Sequence, residues 1–123
     1  MTARPEARRV AGRWIAKADE DLAAAERLVS LDDSLAAVVC FHCQQSAEKY
    51  LKAVLVELGR NVPRTHNLED LLVLLLPDYP HLSTLRRGLK FLIQFAVEAR
   101  YPGFRATKPQ ASCRRTTLGQ PRR

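Results

Sequence analysis

Residues 35–59 read LAAVVCFHCQQSAEKYLKAVLVELG. Ala36, Cys40, Cys43, Ala47, Tyr50 or Leu51, Val54 and Leu58 recur at spacings of three and four, which places them on one face of an α-helix. Gly59 can take the left-handed conformation that closes a helix, and Pro63 forbids continuation beyond it. The stretch therefore predicts a helix from about Leu35 to Leu58. Gln44, Gln45, Glu48 and Lys52 lie close to the apolar stripe, with Glu48 and Lys52 one turn apart. The ordinary expectation for them is a solvated face with a Glu–Lys pair, stabilising by about 0.3–0.5 kcal/mol. A sharper expectation sets Gln45 or Glu48 on a bundle or dimer seam, holding an arginine from another helix.

Working outward, Trp14, Ala18, Leu22, Ala25 and Leu28 or Val29 form the stripe of an earlier amphipathic helix, and SLDDS (30–34) breaks it. Downstream, Thr65 and Asn67 are both suited to cap a third helix. Asn67 with Asp70 three residues on makes a variant of the capping box. Pro77 and Pro80 end that helix early. Leu82, Leu85, Leu89, Leu92 and Ala96 carry a fourth from about Leu82 to Arg100, where Pro102 disfavours helical backbone at Tyr101. The fold class is all-α, an antiparallel up-and-down bundle of four helices. The helical pattern ends at Pro102, so the chain divides into a bundle over 10–102 and a basic tail, predicted to be disordered, over 103–123.

Composition supports this division. The chain has 123 residues, 46% hydrophobic and 27% charged, which suits one globular domain. No apolar run approaches the ~18 residues of a membrane span, and the basic N-terminal stretch, with no apolar core after it, does not predict a secretory signal. Three cysteines in this context predict reduced thiols and a cytoplasmic location. Cys40 and Cys43 are three apart on one helix, but no second ligand pair completes a tetrahedral metal site. No metal or cofactor is therefore expected. The net charge of +7 is unevenly placed. Seven basic residues and no acids lie from Arg100 onward, and the 13 acids balance the rest. Such a segment attracts polyanions such as RNA through counterion release.

Four blocks in order carry a family resemblance. They are Trp14 with KADEDLAAAERL (17–28), CFHCQQSAEKYLKAVLVELG (40–59), PRTHNLEDLL (63–72) and ARYP (99–102). Together they resemble the prokaryotic HEPN domain. The resemblance implies a helical bundle that commonly dimerises and is often paired with a minimal nucleotidyltransferase in toxin–antitoxin or related modules. It also implies RNA or nucleotide binding, and in many members metal-independent ribonuclease activity. Catalytic members carry an arginine with a histidine a few residues later. Histidine can serve as base or acid near pH 7, and arginine can fork onto phosphate oxygens.

Arg100 matches the arginine. Arg105, Ala106 and Thr107 stand where the histidine is expected, and no histidine follows His81. The resemblance thus makes Arg100 a phosphate-facing arginine without its acid–base partner, with Tyr101, Arg105 and Lys108 as further contacts for phosphate or RNA. Gln45 and Glu48 are orienting candidates. His66 matches the family's Thr-His-x-Leu element, with a capping or packing histidine as the plainer expectation. The resemblance implies a further helix after ARYP, and the tail, with neither its period nor its acids, predicts that this helix is missing or altered. A binding or partner-binding component is favoured over the alternative, a ribonuclease toxin that uses Arg100 with a displaced acid–base group such as His66 or Tyr101.

Overall fold

The computed structural model describes residues 5–98. Its helices are α1 (Pro5–Val29), α2 (Ala36–Glu57), α3 (Leu68–Leu75) and α4 (Arg86–Glu98), with 3-10 turns at Asp33–Leu35 and Pro80–Leu85. There is no strand among the described residues, so the molecule is an all-α bundle. The predicted end of the fourth helix at Arg100 and the tail over 103–123 lie outside the described residues.

α1 begins nine residues before the first member of its predicted stripe, Trp14. Proline's fixed φ suits a first helical position, and Glu6 in the first turn complements the helix dipole. The buried residues of α1 are Ala11, Ala18 and Ala25, seven apart. That spacing makes a straight seam of small side chains and lets α2 approach closely. Ser46 uses this closeness, its hydroxyl donating to the Ala18 carbonyl at 2.9 Å. α1 and α2 are joined by the turn predicted at SLDDS. Asp32 shapes it by accepting from the Ser34 amide at 2.9 Å.

α2 is the central element, with α1 on one side and α3 and α4 on another. Its buried set exceeds one stripe: Val39, Ser46, Glu48, Lys52, Ala53 and Leu55 join the predicted Ala36, Cys40, Cys43 and Leu51. A helix covered on several faces shows this loss of one-sidedness. It stops as the sequence predicts. Gly59 has φ +77°, its amide bonds Val56 O at 2.9 Å, and the Arg60 amide bonds Leu55 O at 3.0 Å. These paired bonds form a Schellman closure. The Arg60 guanidinium then donates to Leu74 O at 2.6 Å and pairs with Asp78, fixing the end of α3 beside the end of α2.

Asn67 caps α3, its side-chain oxygen accepting from the Glu69 and Asp70 amides at 2.9 and 3.2 Å. The reciprocal half of the box differs from expectation. The Asn67 amide bonds the Thr65 hydroxyl at 3.0 Å, and Thr65 in turn reaches Asp70 at 3.4 Å. Aspartate is too short to reach back as glutamate does, so threonine relays the contact. Leu68, Leu71, Leu72 and Leu75 of α3 are fully buried.

α4 starts at Arg86 rather than Leu82, because Pro80–Leu85 winds as a 3-10 segment. This leaves Leu85 exposed and brings Phe95, outside the predicted stripe, into the core with Leu89 and Leu92. Three-residue winding turns Leu85 off the α-helical face that spacing alone assigned to it.

Candidate functional site

Ionisable side chains are the exception in this core, and two of them sit together on α2. Glu48 and Lys52 have side chains only 6% exposed, with Lys52 Nζ at 2.9 Å from Glu48 Oε2. The expected solvated pair is therefore a buried one. Its cover comes from elsewhere in the chain. The Trp14 ring of α1 lies with its centroid 5.7 Å from the Lys52 ammonium, a cation–π contact. On the other side, His66 Nδ1 lies 3.0 Å from the same Glu48 Oε2.

This arrangement is asymmetric in two ways. Glu48 Oε2 meets both Lys52 and His66, while buried Oε1 has no hydrogen-bond partner. Glu48 is enclosed, but the His66 side chain is 80% exposed. The carboxylate accepts, so the bonded ring nitrogen donates, and in neutral His66 the other nitrogen then carries a lone pair. The Thr65–Asn67 cap holds the backbone on which His66 sits.

Among the expected site residues, Glu48 and His66 are thus brought together. Among the described residues Glu48 meets Lys52 and His66 rather than an arginine. Gln45, one turn earlier, is half-buried and takes no part in the cluster. Arg100, Tyr101, Arg105 and Lys108 lie outside the described residues. Sequence reasoning passed over Lys52 and Trp14 as site members. Their signal was faint, a lone tryptophan in the first block and a lysine one turn after Glu48.

A second polar group ties α1 to α2. Asp21 accepts from Lys49 and lies 2.9 Å from His42 Nδ1. Burial pushes the Asp21 carboxyl up, but the bonds and charges of Lys49 and His42 outweigh it and hold the group below the usual carboxylate range. Tyr50 donates to Asp19, and that bond, with burial, pushes the phenol up to about 12. His42 therefore faces the helix seam, while Cys40 and Cys43 are buried in the core. His81 is solvent-facing, edge-on to Tyr79.

Among the described residues, no group of three or more histidine, cysteine or acidic side chains is placed to hold a metal. No described helix is long and apolar enough to cross a membrane. The model of one family, the HEPN domain, matches residues 11–115, which is most of the chain and runs past Pro102. No curated protein and no solved structure gives a match.

Proposed function

We infer, since the chain belongs to the HEPN domain family, that it is a nucleotide- or RNA-binding component of a two-protein module. It acts as a homodimer in the cytoplasm beside a minimal nucleotidyltransferase. The observation that carries this is the family match, which extends through Arg100 and into the basic segment after it. Arg100 and that segment together hold the chain's whole excess of positive charge. Arg100, Tyr101, Arg105 and Lys108 supply the phosphate contacts. Arginine makes bidentate, charge-assisted bonds to phosphate, and the remaining basic residues add attraction without sequence information.

The test is RNA binding followed by fluorescence anisotropy over a series of salt concentrations. Deleting residues 104–123 should weaken binding and flatten the plot of log affinity against log salt, because six basic side chains are lost with the segment. An unchanged slope would remove the tail from the binding surface. Light scattering of the intact chain, alone and with a nucleotidyltransferase from the neighbouring reading frame, tests the homodimer and the partner.

A second reading, metal-independent RNA cleavage, is favoured by one observation. His66 is an exposed imidazole backed by a buried carboxylate, the kind of group that the chain lacks after Arg100.

A further inference from the structure

We propose that the basic segment Phe104–Leu118 docks in cis on the apolar, acid-flanked end of the α1–α2 pair, and that RNA draws it off. The docking stands by itself, while the release rests on the nucleic-acid reading above and adds regulation to it.

The docking face lies where α1 turns into α2. Leu31 in the turn is 70% exposed, and Phe41 on α2 is 53% exposed. Val38, one turn before Phe41 on the same helix face, is exposed as well. Large apolar side chains left open at one end of a bundle mark an interaction surface. Their surroundings set the chemistry of the occupant. Residues 19–33 hold six acids, Asp19, Glu20, Asp21, Glu26, Asp32 and Asp33, against one base, Arg27. Lys17 pairs with Glu20 and Lys49 with Asp21. Glu26 and Asp32 are exposed and, among the described residues, stand in no ion pair. An occupant that is both apolar and cationic fits this end.

The chain after α4 has that composition. FRATKPQASCRRTTL (104–118) carries Arg105, Lys108, Arg114 and Arg115, no acid, and the apolar Phe104 and Leu118. Opposite charge draws it to this end of the α1–α2 pair. Like charge repels it from the other end, where Arg8, Arg9 and Arg13 are exposed at the start of α1. A second copy is the poorer occupant. Meeting this face with the same face, as two-fold symmetry requires, sets acids against acids. The tether is long enough, since residues 98–113 span up to about 50 Å when extended. The whole of α2, with 22 residues, is only about 33 Å long. Tethering also gives the segment an effective concentration on the order of 1 mM, so a weak contact suffices. While docked, its charges face the acids of the bundle, and a polyanion must compete with those acids for Arg105 and Lys108.

The experiment uses the one cysteine within the segment. Cys113 lies there, and Cys40 and Cys43 are buried, so a cysteine placed on the surface reports where the segment sits. Leu31→Cys in the full chain, oxidised with diamide at low salt, should form an intrachain disulfide with Cys113. Its rate should exceed that of Val73→Cys, exposed on α3, by about tenfold, a preference of about 1.4 kcal/mol. Glu26→Lys with Asp32→Asn, added to Leu31→Cys, should remove most of the advantage, as should Phe104→Ser. Asparagine keeps the capping oxygen of Asp32. Non-reducing gels and peptide mass mapping separate intrachain from interchain products. Equal rates for Leu31→Cys and Val73→Cys, or a rate untouched by the charge and Phe104 changes, overturn the docking. Predominantly interchain disulfides from Leu31→Cys put a second copy on the face and overturn it too. Single-stranded RNA should slow the intrachain reaction in proportion to the fraction bound. RNA that binds without slowing it overturns the release alone. RNA that fails to bind overturns the nucleic-acid reading, and the release with it, while the docking stands.

Discussion

Tyr50 and Asp19 meet across the α1–α2 seam, and the bond changes how the phenol titrates. Its pKa is pushed up to about 12, first by the Asp19 bond and then by burial. The folded value lies above the unfolded one, near 10. The associated stability is therefore complete below pH 10 and lost as pH rises towards 12. Ultraviolet titration should show a late-ionising tyrosine that disappears in Tyr50→Phe and moves down in Asp19→Asn. Lys52 gives a larger effect. Lys52→Met takes the ammonium from the buried Glu48 charge and leaves it only the His66 contact, a loss that costs about 3–5 kcal/mol of stability in urea unfolding. Pairing it with Glu48→Gln should recover most of that loss, because both charges then leave the interior. If the single variant is as stable as wild type, the pair is not enclosed as described.

At the scale of elements, the stops and caps follow from single residues. Gly59 has open space around the position of a missing Cβ, so Gly59→Ala suffers from its φ of +77° alone. About 1 kcal/mol of destabilisation is expected. Asn67→Ala removes the one side-chain oxygen that accepts from two amides and should cost about 1 kcal/mol as well. Both losses should appear as lower urea midpoints at unchanged slope. These features were legible in the sequence because each is a backbone requirement that one residue type meets. The onset of α4 was less legible, since leucines three apart suit a 3-10 turn as well as an α-helix. The burial of Glu48 and Lys52 was not legible at all. A spacing of four is the same whether water or protein lies outside it, and here the cover comes from Trp14 and His66, on other segments. The start of α1 was readable in Pro5 and Glu6, but no apolar stripe drew attention to them.

Across the whole molecule, the two sides of α2 are built from different materials. Towards α3 and α4 it meets leucines and Phe95, all buried. Towards α1 it meets an alanine seam reinforced by Ser46, Asp21 and Tyr50, and the larger apolar side chains of α1 that pack against the core, Leu22, Leu28 and Val29, all lie in its second half. Alanine methyls remove little apolar area from water, so burial stabilises the first side more than the second. The alanine seam therefore sets an order of events in time. Regions with little buried apolar area open at a lower free energy than the global transition. Amides in the first half of α1 should exchange with deuterium well before those of α2 between Val39 and Leu55. Trp14, the chain's single tryptophan, rides on the helix that leaves first. Its fluorescence should change ahead of the far-ultraviolet signal during slow unfolding, so the molecule carries its own clock for the opening of that seam.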